Sequence, residues 1–385
     1  MTTASTLKAA FPKGDAGRIE WVDYAKGFCI IFVVMMHSTL GVGKAAGGEG
    51  WLHYVVEFAR PFRMPDFFMI AGLFLALVID RPWKSYLDKK LMHFVYFYLI
   101  WTFIQFGIKI PSNGAEIGFA NLPLLYLETF WEPYSTLWFI YMLPIMFVVT
   151  KLLKSLPWYL VFGAAALLQI APIHTGSLIV DEFASRYVYF FAGYFFAPYI
   201  FKLAEWARKD VSLATLGLVL WGLVNGALMF NSIEITRGGE ATLLKIGDLP
   251  VVSLLLGFAG AVGVILVSAL LAKVRWMSFL RFCGQHSIVV YLAFFFPMAV
   301  SRAVLLKFGG FLDLGTISAL VTATAVIAPL VLYWVIKKIG FGNFLFERPE
   351  WAHIDGPSKS SRKACLLYTS PSPRDLSTSR MPSSA

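Results

Sequence analysis

The sequence predicts an all-α, polytopic integral membrane protein whose helices form one bundle of about ten transmembrane spans. The chain has 385 residues, of which 58% are hydrophobic and only 15% are charged. Soluble domains carry roughly 25% charged residues, so the composition excludes an ordinary soluble fold. Apolar runs long enough to cross a hydrocarbon layer of about 30 Å recur along the whole chain. No loop between these runs is long enough to hold a separate soluble domain.

Each predicted span is an apolar run that ends at charged or turn-forming residues. We predict a cytoplasmic N-terminal segment at 1–20, a membrane domain at 21–350 and a cytoplasmic tail at 351–364. The predicted spans within the membrane domain are 21–40, 58–79, 92–110, 131–150, 157–173, 185–201, 211–230, 249–272, 286–306 and 316–337.

The charges predict how the spans cross the membrane. Lysine and arginine residues concentrate in the N-terminal segment and in every second loop, whereas loops 111–130 and 174–184 contain none. Cytoplasmic loops are the cation-rich ones, so both termini are expected in the cytoplasm. The net charge of +10 does not indicate nucleic-acid binding, because the cations are scattered through short loops. The three cysteines predict no disulfide framework, since Cys29 lies in the middle of a span.

The last stretch of the chain, 365–385, reads CLLYTSPSPRDLSTSRMPSSA. Codons for CLLYTSPSPRD and for SRMPSSA run through the two ends of a common transposase sequencing adapter. Leu376, Ser377 and Thr378 stand where a variable index would lie. We therefore expect 365–385 to be translated adapter rather than native protein, and we leave it out of the fold prediction.

Within the first predicted span, the stretch KGFCIIFVVMMH begins with Lys26 and ends with His37. Eleven residues at about 100° each bring the two side chains to within roughly 20° of one face, about 16 Å apart along the helix axis. Ionisable groups in membrane helices usually face a protein cavity or water path. Two simpler interpretations stay open: Lys26 extends to the cytoplasmic interface and pairs with Asp23, and His37 is a structural histidine near the outer end.

The second span begins ARPFRMPDFFMIAG, which places Arg60 and Arg63 one helical turn apart. Two guanidinium groups at one helix end can bind phosphate or carboxylate, although interfacial anchoring is the simpler alternative. Asp66 lies three residues after Arg63, so the two side chains can pair. Pro65 fits the first helical turn, and Gly72 allows another helix to approach closely.

These motifs together resemble acyltransferase family 3, a family of integral membrane O-acyltransferases with about ten helices. The resemblance covers residues 18 to about 350. KGFCIIFVVMMH is similar to the family's first-span motif of Arg or Lys, ten residues and His, and RPFRMPDFFMIAG is similar to its Arg-x-x-Arg motif. LWFIYML at 137–143, YFFAGYFFAP at 189–198 and GQHSIVVYL at 284–292 are similar to later spans.

The chain departs from the family pattern at three places. Lys26 stands where arginine is commoner, and Asp66 replaces a residue that is usually apolar. The ninth-span motif often ends Tyr-x-x-His, whereas Phe294 and Phe295 follow Tyr291 here. The last departure puts in doubt a second catalytic histidine in that span. His286 is nearby but lies at a loop edge.

The resemblance implies an enzyme of the bacterial inner membrane that transfers an acyl group, usually acetyl, from cytoplasmic acetyl-CoA or another acyl-CoA to a hydroxyl group. The implied acceptor is a cell-surface or lipid-linked carbohydrate, and polysaccharide-assembly proteins are implied partners. Acyl-CoA is a substrate, and we expect no bound cofactor or metal. His37 is the expected base, or the carrier of a covalent acyl group. Lys26, Arg60 and Arg63 are the expected catalytic cations.

Other residues are candidates for substrate binding. They are Asp23, Asp66, Trp138, Tyr141 and Tyr194. The aromatic rings of the last three can stack on a sugar or pack the bundle. The predicted topology places His37, Arg60 and Arg63 near the outer face, although the acyl-CoA donor is cytoplasmic. Either Lys26 contacts the phosphates of the donor and the arginines lie by its acyl group, or the second span is tilted and the arginines lie deeper.

Two other functions fit a polytopic bundle with intramembrane charges. A transporter or flippase for a lipid-linked sugar would show inverted repeats and broken helices in matching halves, which the sequence does not display. A non-catalytic component of a polysaccharide-assembly complex would not need Lys26 and His37 on one helix face.

Overall fold

The structure is a computed structural model that describes residues 19–237 and 240–354. The predicted N-terminal segment and cytoplasmic tail lie mostly outside these residues, and the adapter-like stretch lies wholly outside them. The chain is 81% helical and has almost no strand, which confirms the predicted all-α fold. In chain order the first eight helices are α1 (Glu20–Ala46), α2 (Leu52–Ala59), α3 (Arg63–Gly72), α4 (Trp83–Leu87), α5 (His93–Ile117), α6 (Leu122–Glu128), α7 (Trp138–Leu153) and α8 (Trp158–Ile170).

The second half of the described chain contains eight further helices and one hairpin. The helices are α9 (Leu178–Phe195), α10 (Ala197–Lys209), α11 (Val211–Phe230), α12 (Pro250–Leu271), α13 (Ser278–Gln285), α14 (Ser287–Ala293), α15 (Phe295–Phe308) and α16 (Leu314–Ile339). Strands β1 (Ser232–Arg237) and β2 (Glu240–Lys245) pair antiparallel between α11 and α12, with Ser232 opposite Lys245. A π-helical turn joins α4 to α5, and short 3₁₀ turns follow α3 and precede α7.

Six segments of the described chain are long and apolar enough to cross a membrane. They are Glu20–Ala46, Trp83–Ile117, Ser135–Leu153, Val211–Phe230, Pro250–Leu271 and Leu314–Ile339. Helices α14 and α15 make a seventh if they are counted as one span, although they meet at a bend of 58°. The predicted count of about ten spans is therefore not confirmed.

Proline, charged residues and short helix length explain why other predicted spans do not qualify. Helix α9, for example, carries Asp181, Glu182 and Arg186 within its 18 residues. Pro61 lacks an N–H for a helix, and the predicted second span breaks there into α2 and α3. Pro198 stands at the start of α10, where the predicted sixth span is interrupted. The predicted fifth span is a helix of 13 residues, which is only about 20 Å long.

Helix α1 runs through the middle of the bundle and contacts α3, α12, α13, α14, α15 and α16. Its crossing with α13 brings the two backbones together at a pair of glycines. A Cβ atom on Gly27 would collide with the carbonyl oxygen of Leu280, and one on Gly284 would collide with that of Asp23. The two helices can approach this closely only because neither carries a side chain at the crossing point.

A second glycine pair joins α3 to α9. A Cβ atom on Gly72 would collide with the carbonyl oxygen of Phe190, and one on Gly193 would collide with that of Met69. This contact confirms the close helix approach predicted at Gly72. It also fixes the two helices that carry the arginines described below.

We predict that Gly284→Ala destabilises the protein by about 1–3 kcal/mol, because the new methyl group meets backbone that cannot move aside cheaply. Gly222→Ala on α11 is the matched control, since no atom lies within 4 Å of its Cβ position. Thermal unfolding in detergent, followed by size-exclusion chromatography, measures both variants. Equal melting temperatures for the two would contradict the proposed packing constraint.

Candidate active site

A cavity of about 190 Å³ lies between α1, α3, α7, α9 and α14. Its polar lining consists of His37, Arg63, Thr136, Glu182, Arg186 and Tyr291. Its apolar lining consists of Val33, Met36, Met64, Phe67, Trp138 and Phe139. Of the residues predicted to form the site, the cavity brings together His37, Arg63 and Trp138.

His37 reaches the cavity from the C-terminal half of α1. Its ring centroid lies 5.5 Å from that of Phe294, a fully buried side chain at the bend between α14 and α15. Phe294 occupies the position at which the family that the sequence resembles often has histidine. The bend therefore places an apolar ring against His37, and His37 is the one imidazole that lines this cavity.

Arg63 is the first residue of α3, and its side chain is 9% exposed. Its Nε and Nη1 atoms are buried and have no hydrogen-bond partner in the described protein. A buried charge without a partner costs several kcal/mol, so the site is electrostatically prepared for an anion. The helix start adds the positive end of the α3 dipole at the same place.

The expected pairing of Arg63 with Asp66 is not formed. Asp66 is 2% exposed, its Oδ1 atom has no partner, and its side chain lines a separate space of about 10 Å³ against α10 and α12. The two side chains separate because Arg63 turns toward α7 and α9. Asp66 thus lies outside the cavity that contains His37.

Glu182 and Arg186 form an ion pair on the cavity wall that sequence reasoning missed. Nε of Arg186 lies 3.1 Å from Oε2 of Glu182, one helical turn away on α9. The available signal was an arginine within the predicted sixth span, because charged residues in membrane spans are usually functional.

The start of α9 is held by carboxylates from two directions. Glu132 accepts a hydrogen bond from the Leu178 backbone N–H at 2.7 Å. Asp181 accepts bonds from the backbone N–H and hydroxyl of Thr175, at 2.8 and 2.9 Å. These bonds, with the backbone N–H of Thr175 as the main cause, lower the pKa of Asp181 below its ordinary value. The turn that precedes Glu182 is thereby well anchored.

The start of α7 forms another wall of the cavity and contains a strained residue. Ser135 has a φ of 54°, the only positive φ of a non-glycine residue in the described chain. Lys109 donates to the Ser135 hydroxyl at 3.0 Å, and the Tyr291 hydroxyl donates to the Thr136 carbonyl. Helices α5 and α14 therefore hold this turn in place, and Trp138 follows directly on α7.

The structure places the other predicted cations and acids away from the cavity. Lys26 is buried near the start of α1, where its Nζ lies 3.8 Å from Oδ1 of Asp23.

Arg60 is 40% exposed and pairs with Glu57 at 3.3 Å and with Asp248. Lys245 also pairs with Glu57, at 2.6 Å, so this cluster joins α2 to the end of the hairpin.

The two tyrosines predicted to bind substrate pack against other side chains inside the helix bundle. The hydroxyl of Tyr141 donates to the carbonyl of Phe130 at 2.8 Å, and its ring packs on Tyr98. Tyr194 is 7% exposed, and its ring centroid lies 5.8 Å from that of Phe191. Neither side chain lines the cavity around His37.

We predict that Ser135→Gly leaves the melting temperature little changed, because glycine adopts the positive φ of this turn without strain and this gain offsets the lost hydrogen bond from Lys109. Ser135→Val should lower the unfolding free energy by about 1–3 kcal/mol, since a β-branched residue is strained there. Ser135→Ala separates the loss of the hydroxyl from the backbone effect and should fall between the two. A valine variant as stable as the glycine variant would show that the turn is not constrained.

Comparison with known proteins identifies the family to which the chain belongs. The chain matches the family model described as an acyltransferase domain over residues 19–336, and it therefore belongs to acyltransferase family 3. The inner membrane protein YcfT of Escherichia coli (strain K12) is 27% identical over 173 residues, which is 39% of this chain and 48% of that protein. The match thus spans about half the length of this curated relative. No solved structure matches the chain.

The family assignment confirms the resemblance stated from the sequence motifs. The helices and the relative together support a multi-pass protein of the inner membrane. The transporter interpretation is not favoured, because the family is one of acyltransferases.

Proposed function

We propose that the protein is an O-acyltransferase that moves an acetyl group from cytoplasmic acetyl-CoA to a hydroxyl of a cell-surface or lipid-linked carbohydrate. The observation that carries this proposal is that His37 and the unpaired Arg63 line one cavity. Acyl transfer needs a base beside a positively charged group, and the cavity supplies both. The family supports acyl transfer, and the donor and acceptor are part of the proposal.

His37 serves as the base in this reaction. Its imidazole takes the proton of the acceptor hydroxyl as the hydroxyl oxygen bonds to the acyl carbon. The carbon–sulfur bond of the thioester then breaks, and the proton passes to the leaving thiolate. In the covalent variant, a ring nitrogen of His37 attacks the thioester carbonyl and the thiolate of the donor leaves. The acceptor hydroxyl then displaces the imidazole from the acyl carbon, and the released imidazole takes the hydroxyl proton. Both routes require the imidazole at this position.

Arg63 stabilises the oxyanion that forms on the acyl carbonyl. Its unpartnered nitrogens are buried, so the interaction acts in a low-dielectric site where it is strong. The charge is in place before the reaction begins, which lowers the cost of reorganisation in the transition state. Losing one oxyanion donor typically lowers kcat by about 10²–10³.

Lys26 is proposed to contact the phosphates of the donor. It lies eleven residues before His37 on the continuous helix α1, which corresponds to about 16 Å. The cation-rich loops support a cytoplasmic position for that end of α1. An extended pantetheine arm running along α1 would then bring the thioester to His37 from the cytoplasmic side.

We predict that His37→Ala abolishes acetyl transfer while the protein still folds and inserts. The control is His53→Ala, because His53 pairs with Glu49 at 3.2 Å outside the cavity. Transfer of radiolabelled acetyl from acetyl-CoA to membrane carbohydrate measures both variants. If His37→Ala keeps more than about a tenth of the wild-type rate, a loss below about 1.4 kcal/mol in the barrier, His37 is not the base.

We predict different outcomes for the two arginines of the Arg-x-x-Arg motif. Arg63→Met should lower kcat by about 10²–10³ with the KM for acetyl-CoA little changed, because it acts on the transition state. Arg60→Met should keep most of the activity, since Arg60 pairs with Glu57 and Asp248 away from the cavity. Equal losses of kcat from the two substitutions would refute this division.

Lys26→Met completes the comparison. It should raise the KM for acetyl-CoA while changing kcat less than Arg63→Met does. A KM unchanged by this substitution would remove Lys26 from donor binding.

A further inference from the structure

The ion pair of Glu182 and Arg186 has no task in the chemistry proposed above, although both side chains line the cavity. Their contact uses Nε of Arg186 and Oε2 of Glu182. Neither side chain makes another hydrogen bond or ion pair with the described part of the chain. The outer edge of the guanidinium group and the second carboxylate oxygen therefore remain available to a ligand.

The charges that line the cavity do not balance. Arg63 and Arg186 contribute two positive charges, and Glu182 contributes one negative charge. The Tyr291 hydroxyl is engaged by the Thr136 carbonyl, and His37 must be uncharged to act as a base. One positive charge is left over in a partly dehydrated site, which a bound anion would neutralise.

The donor does not supply that anion. Its acyl carbonyl develops negative charge only in the transition state, where Arg63 is placed to stabilise it. The phosphates of the donor would lie about 16 Å away, beside Lys26. Of the two substrates, the acceptor remains as the source of a permanent negative charge for the cavity. Arg186 is the cavity arginine whose Nη edge is not assigned to the acyl carbonyl.

We infer that the acceptor is an anionic sugar, which carries a carboxylate or phosphate close to the hydroxyl that is acylated. This inference rests on the proposed function. The Nη edge of Arg186 binds the anion in the two-pronged geometry that guanidinium groups make with carboxylates and phosphates. The free oxygen of Glu182 accepts a hydrogen bond from a neighbouring hydroxyl of the same sugar.

The size of the cavity fits one sugar residue at a time. At about 190 Å³ it is smaller than the roughly 300–1,000 Å³ of pockets that enclose whole drug-sized ligands. A chain end or a single lipid-linked residue can present one ring edge to His37. Recognition would therefore depend on the few groups next to the reacting hydroxyl.

A purely structural role for the Glu182–Arg186 ion pair predicts a different effect of removing it. If Glu182 and Arg186 only stabilise α9 as an i,i+4 pair, removing the pair lowers stability slightly and affects all acceptors equally. If Arg186 binds an anion, removing it changes the ratio of rates between charged and neutral acceptors. The acceptor ratio therefore separates the two roles.

The experiment uses the purified full chain in nanodiscs with three acceptors: methyl β-D-glucuronide, glucose 1-phosphate and methyl β-D-glucoside. Acetyl transfer from acetyl-CoA is measured for the wild type, Arg186→Met, Arg186→Lys and the matched control Arg281→Met. Arg281 pairs with Glu20 at 2.6 Å outside the cavity. The glucuronide and the phosphate distinguish the two sources of negative charge.

We expect the wild type to prefer one of the anionic acceptors over the glucoside by at least about tenfold in kcat/KM. Arg186→Met should remove this preference through the KM for the acceptor, so that its kcat/KM for the anionic acceptors falls to its value for the glucoside. Arg186→Lys should restore part of the preference, because it keeps the charge and loses the fork. Arg281→Met should behave as the wild type. Equal rates with all three acceptors, or an unchanged preference in Arg186→Met, would overturn the inference.

A binding measurement tests the inference without turnover. The glucuronide or the sugar phosphate should raise the melting temperature of the wild type and not that of Arg186→Met, because ligands stabilise the folded state they bind. Stabilisation of both proteins to the same extent, or of neither, would count against Arg186 as the anion site. Failure of acetyl transfer to every acceptor, including hydroxylamine, together with a normal binding result would instead refute the proposed function alone.

Discussion

The direct contact of helix backbones at paired glycines is the constraint on which the rest of this structure depends. Gly27 and Gly284 bring α1 against α13, and Gly72 and Gly193 bring α3 against α9. In lipid the association of helices comes mainly from close packing rather than from hydrophobic burial, so these contacts carry particular weight. Because α1 carries His37, and α3 and α9 carry the two cavity arginines, the glycine contacts also decide where these cavity side chains lie.

Breaks in the helices place the chemistry within that frame. Helix α3 starts at Arg63 because Pro61 interrupts the preceding helix, and so the guanidinium group lies at a helix start. The bend between α14 and α15 sets Phe294 against His37. The turn at Ser135 brings Thr136 to the cavity wall at the cost of a strained backbone angle. Membrane proteins tolerate irregular backbone where it lines a cavity, and the breaks at Arg63 and Thr136 do line one here.

The arginines of the chain illustrate how burial separates two roles for one residue type. Arg60 and Arg281 are each about 40% exposed and paired with carboxylates, so their charges are already satisfied. Arg63 is buried with nitrogens that lack partners, and Arg186 contacts its carboxylate through Nε. Arg60 and Arg281 can therefore hold neighbouring elements together. Arg63 and Arg186 instead line a cavity that has an uncompensated positive charge. Both the proposed acyl transfer and the proposed anionic acceptor rest on this difference between the exposed, paired arginines and the arginines of the cavity.

The sequence by itself determined the helical membrane fold and the family, because hydropathy and short motif spacings along one helix are local properties. It also predicted the close helix approach at Gly72. The tertiary structure decided which members of the motifs meet. Spacing could not show that Arg63 faces His37 while Arg60 pairs with Asp248, since that residue is distant in the chain. Nor could spacing show that Asp66 turns to another side of α3, or that Glu182 and Arg186 complete the cavity. The positions of these side chains depend on which helix face packs against which neighbour. Local periodicity of the sequence does not specify packing between segments that are distant in the chain.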